Sequence, residues 1–309
     1  MAQTKNPLWG IIDVGSNTFR LCVYEVGEKG SYEERANAKS ALGLASYLTP
    51  QGELQQDGID KACKALTKLV RMAQLMGCNE VSIFATAAVR NCSNSKSVVE
   101  QLEAACGEKI EVISGADEAC MSLEGARESV ELSTGLFFDI GGGSTELMSL
   151  SDGQMLANES IRLGSLNAWS RYCTQILPQR YELELLAVEV GRQLDKQQVQ
   201  LIEHCTACGI GGTMRFALKI AKLLGAECKG RELSQADIEL IFNTLDRDPN
   251  RLARLMLQQN PARVHTLLPG CTIARELIHR LDCNSVVVAK TGVREGYLKR
   301  KIQRQRKGK

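Results

Sequence analysis

Three short stretches of this 309-residue chain concentrate the groups that could do chemistry: Asp13-Val-Gly-Ser-Asn-Thr18, Asp139-Ile-Gly-Gly-Gly-Ser-Thr-Glu146 and Gly209-Ile-Gly-Gly-Thr213. Glycine tolerates positive φ and lets main-chain amides come close to a ligand, so turns of this composition suit an anion. The candidate phosphate donors are Gly15, Ser16, Asn17 and Thr18, then Gly142, Gly143, Ser144 and Thr145, then Gly211, Gly212 and Thr213. The third stretch leads into a predicted helix, whose first amides and dipole also favour negative charge. Asp13 and Asp139 stand where a strand ends and a glycine turn begins, so each would repel a phosphate held there unless a cation intervened. A hard divalent ion, magnesium held partly through water, resolves that conflict, with Asp13, Asp139 and Glu146 as candidate ligands. An aspartate in such a place also suits hydrogen bonding to its own turn. Arg90 follows an apolar strand and the small turn Thr86-Ala-Ala, from which its planar fork reaches a phosphate oxygen, and Ser93 and Asn94 add donors on the same loop. Neither glycine cluster completes GxGxxG and no GxxxxGK[ST] occurs, which excludes the dinucleotide and Walker motifs.

The rest of the composition narrows the chemistry further. A hydrophobic content of 44% over 309 residues supports two medium domains. The net charge is only +2, yet Lys299 to Lys309 holds seven Lys or Arg and no acid, so the remainder is acidic and the basic character is a tail. Such a tail fits a solvated helix end, or attraction to a polyanion. Twelve scattered cysteines, with no signal peptide and no apolar run of transmembrane length, predict a reduced cytoplasmic protein that does not enter a membrane. Cys205 and Cys208 form one CxxC beside His204, but no second pair completes a zinc set, and the three histidines share no ligand spacing. The burden falls on carboxylates and backbone.

These loops need elements to hold them. Strands are predicted at Leu8 to Val14, Phe19 to Glu25 and around Glu33 to Lys39, followed by an amphipathic helix through Ile59, Cys63, Leu66, Val70 and Ala73 that stops at Gly77. A strand at Glu80 to Ala85, a helix at Ser95 to Ala105, a strand at Ile110 to Ile113 and a helix after Ser114-Gly115 follow. The pattern then restarts, with strands at Leu136 to Ile140, Glu146 to Leu150 and Met155 to Arg162. Both meanders open on Asp, apolar, Gly and a small-residue turn, with Leu21 and Leu147 at position nine, 126 residues apart, which argues for an internal duplication. Beyond Leu163 the chain reads as mainly helical, across Glu182 to His204, Thr213 to Leu224, Gln235 to Leu245, Asn250 to Gln258 and Ile273 to Leu281, then a strand at Ser285 to Val288 and a last helix. An α/β fold in two domains, 1–132 and 133–309, with a hinge near Ser133-Thr134, is the expectation.

Six motifs in order resemble the exopolyphosphatase / guanosine pentaphosphate phosphatase (Ppx/GppA) family: Asp13-Val-Gly-Ser-Asn17 with Leu21; Ala85-Thr-Ala-Ala-Val-Arg90 with Asn94; Val112-Ile-Ser-Gly-Ala-Asp-Glu-Ala119; Asp139 to Leu147; Gly209 to Thr213; and Gly292-Val-Arg-Glu-Gly296. The resemblance implies two ribonuclease H-like domains of the actin-like ATPase superfamily with a cleft between them. It also implies hydrolysis of a terminal phosphoanhydride, with polyphosphate or guanosine pentaphosphate as substrate, and Glu118 as the base for the attacking water. Asp117 is the reserve candidate for that role. No nucleic-acid partner is expected, and a homodimer is one option for assembly.

Three departures from the family pattern touch substrate contacts. Ser40-Ala-Leu-Gly43 lacks the arginine common in relatives, with Lys39 a stand-in; Asn167 stands where relatives often carry arginine; and Ala289-Lys-Thr-Gly292 lacks an Asp-Gly pair. They put a long-chain polyphosphate grip in doubt and leave two alternatives open, a broader nucleoside polyphosphatase and a sensor that binds without turnover. A kinase of the same superfamily would need an acceptor site, for which no motif is present.

Overall fold

The computed structural model describes residues 6–196 and 206–307. In chain order the first part runs β1 (Leu8–Val14), β2 (Thr18–Val26), β3 (Tyr32–Ala41), α1 (Gln56–Leu75), β4 (Glu80–Ala85), α2 (Ala87–Arg90), α3 (Ser95–Cys106), β5 (Ile110–Val112) and α4 (Gly115–Ala126). The second runs β6 (Gly135–Ile140), β7 (Thr145–Ser151), β8 (Gln154–Ile161), α5 (Ser165–Tyr172), α6 (Arg180–Lys196), β9 (Ala207–Ile210), α7 (Gly211–Leu224), β10 (Glu232–Ser234), α8 (Gln235–Arg247), α9 (Pro249–Gln259), α10 (Val264–Arg280), β11 (Ser285–Val288) and α11 (Val293–Lys307). By backbone proximity these elements form two units, Met1–Asp117 with Arg294–Lys309, and Glu118–Val293.

The sheet of the first unit has strand order β3-β2-β1-β4-β5, antiparallel through the meander and parallel from β1 onward. Ile12, Val14, Leu21 and Val23 point to one face and pack under Ile59, Leu66, Leu69 and Val70 of α1. Side chains alternate across a strand, so Asp13, Arg20 and Cys22 lie on the other face, which α11 covers. Phe84 stacks on Tyr297 with ring centroids 4.7 Å apart, and the Tyr24 hydroxyl donates to Glu295 at 2.8 Å. Strands covered on both faces read as nearly continuous apolar runs, which is how β1 and β2 appear in the sequence.

The sheet of the second unit has order β8-β7-β6-β9-β11-β10. Its first five strands repeat the topology of the other sheet, meander first and parallel strands after, with β10 added antiparallel at the edge. The duplication read from the two Asp-Gly stretches is thus a duplication of sheet order. Leu136, Phe138, Ile140, Leu147 and Ile161 face the large core built with α6, α7, α8 and α10. Phe137, Met148 and Leu150 face the other way and pack against Ala119, Leu123 and Ala126 of α4. By alternation Asp139 and Glu146 share that α4 face.

The units divide elsewhere than at 132/133. From Glu118 onward α4 belongs with the second sheet, and from Arg294 onward α11 belongs with the first; a local change in sequence character does not record which sheet a helix covers. The sequence reading placed the Asn250 to Gln258 helix and the last strand closely, but it omitted α2, α5, β9 and β10 and saw only the end of α10, where Pro269 interrupts the pattern. The predicted helix to His204 is described as far as Lys196; its remainder, with His204 and Cys205 of the CxxC, lies outside the described residues, as do the last two residues of the basic tail. Among the described residues eleven cysteines are free thiols, and no helix is long and apolar enough to cross a membrane.

Candidate active site

Each unit carries the same local device at the end of its first strand. In the second unit, the Gly141 carbonyl accepts from Ser165 N at 2.8 Å and Ser165 Oγ at 3.0 Å, and the Gly142 carbonyl accepts from Leu166 N and Asn167 N at 2.9 and 3.0 Å. The Gly143 carbonyl accepts from Asn167 Nδ2 at 2.8 Å. All three carbonyls of the turn therefore point at the start of α5. In a planar trans peptide the C=O of one residue and the N–H of the next are antiparallel. The amides of Gly142, Gly143 and Ser144 consequently face away from α5, as a row of donors suited to an anion. The approach is close enough to need glycine: a Cβ on Gly164 would lie 2.6 Å from Ser144 N and 2.7 Å from Gly143 N.

The first unit repeats this arrangement with different residues. Ala45 N donates to the Ser16 carbonyl at 3.0 Å, and Leu42 N and Gly43 N donate to the Asn17 carbonyl at 2.9 and 3.0 Å. The amides of Asn17 and Thr18 turn away in the same manner. Ser16 and Asn17 are buried, and Asn17 Nδ2 is a buried donor with no hydrogen-bond partner. In both units the clamp is the segment after the third strand, Leu42 to Ala45 in one and Ser165 to Asn167 in the other.

The hydroxyls of the predicted phosphate loops are largely engaged with the protein itself. Thr145 Oγ1 donates to the Leu163 carbonyl at 2.7 Å, Thr213 Oγ1 to the Ile140 carbonyl at 2.9 Å, and Ser144 Oγ to Glu146 Oε1 at 2.7 Å. All three residues are buried. These hydroxyls bolt the loops of the second unit together, and there the main-chain amides are left as the donors. Asn94 is likewise committed, since its amide oxygen accepts from Leu54 N and its Nδ2 donates to the Leu54 carbonyl, both at 2.9 Å. Arg90 lies on α2, where Nη1 donates to the Ile113 carbonyl at 3.1 Å.

The carboxylates separate into two groups. Asp139 and Glu146 are cross-strand neighbours on β6 and β7. Asp139 Oδ2 accepts from Ser122 Oγ at 2.9 Å, and its Oδ1 lies directly over Gly211, the first residue of α7, whose φ is +86° and where a Cβ would come within 2.3 Å of it. Glu146 is almost fully buried and accepts from Ser144 and Ser160 hydroxyls, at 2.7 and 3.1 Å. Glu118 sits half-buried on α4 four residues before Ser122, and residues four apart share a helix face at about 5–6 Å between Cβ atoms. Glu118 therefore lies one helical turn before the serine that holds the Asp139 carboxylate. Asp13, by contrast, is paired with Arg294 of α11 at 3.1 Å, with only 14% and 13% of the two side chains exposed. Asp117, the reserve base, accepts from Ser114 Oγ at 2.7 Å and pairs with Arg300 at 3.4 Å.

One cation at this site escaped the sequence reading. Arg263, just before α10, extends over Gly212, where a Cβ would lie 2.3 Å from its Nη2, and its Nη1 donates to Thr213 Oγ1 at 3.5 Å. It stands 50 residues downstream of Thr213, at the end of the short 3-10 helix Pro261–Arg263 with no motif around it, so no local pattern marks it. With Arg263 and the opening amides of α7, the loop from Gly211 to Thr213 gathers positive potential beside the Asp139 carboxylate.

The donor chemistry fits magnesium in a limited way. Among the described residues no group of three His, Cys, Asp or Glu side chains could hold a metal by itself. Magnesium takes one or two carboxylates, keeps several waters and completes its shell with substrate phosphates, and the hard oxygens of Asp139 and Glu146 match that habit.

The sequence profile of the Ppx/GppA phosphatase family matches residues 23–305. The exopolyphosphatase 1 of Mycobacterium tuberculosis is 26% identical over 308 residues, covering 97% of this chain and 89% of the relative. A guanosine-5′-triphosphate,3′-diphosphate pyrophosphatase of Photobacterium profundum is 27% identical over 226 residues, covering 72% of this chain and 45% of its own length. Among solved structures, an exopolyphosphatase from Cytophaga hutchinsonii superposes with a TM-score of 0.82 at 20% identity, over 96% of this chain and 98% of that one. The Aquifex aeolicus Ppx/GppA family member gives 0.75 at 21%, over 97% and 98%. The α/β fold of two sheets described above is thus the fold of those structures.

Proposed function

This chain belongs to the Ppx/GppA phosphatase family, and from that premise we propose that it is a hydrolase that releases orthophosphate from the end of a phosphoanhydride chain, inorganic polyphosphate before guanosine pentaphosphate. The preference rests on extent. The polyphosphate-named relatives match over nearly the whole of both chains, whereas the guanosine-named relatives run well beyond the matched part. What supports the mechanism is the placement, within one unit, of a three-amide row, of Asp139 and Arg263 at the opening of α7, and of Glu118 one helical turn before the serine that holds Asp139.

Phosphoanhydride cleavage asks for little covalent help, since the terminal phosphoryl passes through a loose transition state with charge spread over its outer oxygens. The amides of Gly142, Gly143 and Ser144 and the opening amides of α7 donate to those oxygens, and Arg263 adds charge beside them. Glu118 accepts a hydrogen bond from a water, orients it in line with the leaving oxygen and takes its proton. Magnesium, when bound through Asp139 and Glu146, supplies charge neutralisation at the phosphate oxygens. Ser122 holds the Asp139 carboxylate in place, and Ser144 and Ser160 do the same for Glu146.

The test is orthophosphate release from polyphosphate and from guanosine pentaphosphate with magnesium present, comparing the native protein with Glu118→Gln. The expected result is release that the substitution lowers by about 10²-fold or more, with folding unchanged. Release that survives Glu118→Gln would remove the assigned base, and no release by the native protein from either substrate would remove the hydrolase reading in favour of a binding protein.

A further inference from the structure

Of the three carbonyls that orient the glycine turn, two are held by main-chain amides, which any residue at 165, 166 or 167 would supply. Among the described residues the Gly143 carbonyl is held through a side chain alone, by Asn167 Nδ2 at 2.8 Å, whereas Ser165 Oγ at the Gly141 carbonyl only adds to a main-chain bond. The other end of the same side chain, Oδ1, accepts from Gly164 N at 2.7 Å, as the third residue of a helix reaches back to cap its own start. Nδ2 also approaches the Arg162 carbonyl at 3.4 Å. The carboxamide therefore bridges the opening of α5 and the turn, a donor on one side and an acceptor on the other. The carbonyl it holds belongs to the same peptide as the Ser144 N–H, so the direction of that amide depends on what residue 167 can donate.

We infer that Asn167 is a positioning residue for phosphate binding, fixing the Gly143–Ser144 peptide so that the third amide of the row faces the substrate. The inference rests on the functional reading above. It gives this chain's departure from arginine a consequence: arginine could donate to the Gly143 carbonyl but has no acceptor for Gly164 N. Asn167 contributes no charge of its own, which leaves Arg263 and the start of α7 as the neighbouring sources of positive potential.

The experiment measures tripolyphosphate binding by titration calorimetry in a Glu118→Gln background, where no turnover intrudes, for Asn167, Asn167→Asp and Asn167→Ala, each with its thermal midpoint. Asn167→Asp keeps the cap acceptor and sets an oxygen against the Gly143 carbonyl, so the peptide turns; Asn167→Ala removes the donor without adding charge. The expected result is weakening by about 10-fold or more in both, with Asn167→Asp melting within a few degrees of the parent. In the Glu118-containing enzyme, KM for polyphosphate and the inhibition constant for orthophosphate should rise together. Binding within twofold of the parent in both variants would overturn the inference, as would a loss that tracks only the unfolded fraction. Should the variants not fold, the Ser144 amide resonance of the parent decides: a shift on tripolyphosphate addition supports the assignment and none refutes it. If the native protein binds tripolyphosphate but releases no orthophosphate, the hydrolase reading falls while the binding comparison still judges Asn167.

Discussion

Gly211→Ala is a sharp test of how the site is built, because one methyl group meets one functional oxygen. At φ +86° an alanine carries strain of about 1–2 kcal/mol, well below the 5–15 kcal/mol that holds a typical domain together, so the variant should fold. Its Cβ would lie 2.3 Å from Asp139 Oδ1, where real contacts do not fall below 3.0 Å. The carboxylate must therefore retreat by at least about 0.7 Å, which stretches the 2.9 Å bond from Ser122 beyond hydrogen-bonding reach. Misplacement on the order of 1 Å in a pre-organised site costs about 10²-fold in rate, equivalent to about 2.7 kcal/mol of transition-state stabilisation. The assay is orthophosphate release across a magnesium series, with thermal denaturation as control. We expect kcat/KM to fall by about two orders of magnitude and the magnesium requirement to rise. The comparator is Gly212→Ala, whose Cβ would meet the flexible end of Arg263 at 2.3 Å; that guanidinium can swing aside, so the loss should be smaller and lie mainly in KM. Retention of kcat/KM within about threefold in Gly211→Ala would refute the placement of Asp139 at the reaction centre.

Other outcomes follow from the same structure. Asp13→Asn leaves the buried Arg294 guanidinium without its carboxylate, and Arg294 Nε already lacks a hydrogen-bond partner. Removing one member of such a pair should cost about 3–5 kcal/mol in chemical denaturation, and an unchanged midpoint would show that the pair does not anchor α11. In the second unit, hydrogen bonds from Arg192, then Gln193, hold the Glu189 carboxyl down at about 2. A depressed carboxyl stabilises the fold above its unfolded value, about 4.3, and that contribution is lost as pH falls toward 2. Stability in that window should therefore drop on acidification in the native protein and drop less in Glu189→Gln, as circular dichroism melts will show. Burial pushes the Cys173, Cys208 and Cys271 thiols up to about 12. They should resist a thiol-specific disulfide reagent at pH 8 until denaturant is added, and prompt labelling of Cys208 or Cys271 would contradict the packed sheet core.

The duplicated Asp-Gly turns, the two meanders and most of the helices are local matters of period and punctuation, so the amino-acid order alone determined them. The same order pointed to glycine amides and carboxylates, rather than histidines or cysteines, as the candidates for the chemistry. Only the tertiary structure decided which donors are free to act. The hydroxyls of Thr145, Thr213 and Ser144 look available in a list of residues but are captured by Leu163, Ile140 and Glu146. Asp13, paired in sequence logic with Asp139, meets Arg294, which lies 281 residues away along the chain. Arg263 reaches the start of α7 from a segment without a motif, and Asn167, a simple loss by sequence comparison, turns out to hold the glycine turn in shape. Hydrogen bonds are short and directional while sequence patterns record only periodicity, so contacts between distant segments are settled by the packing that brings them together.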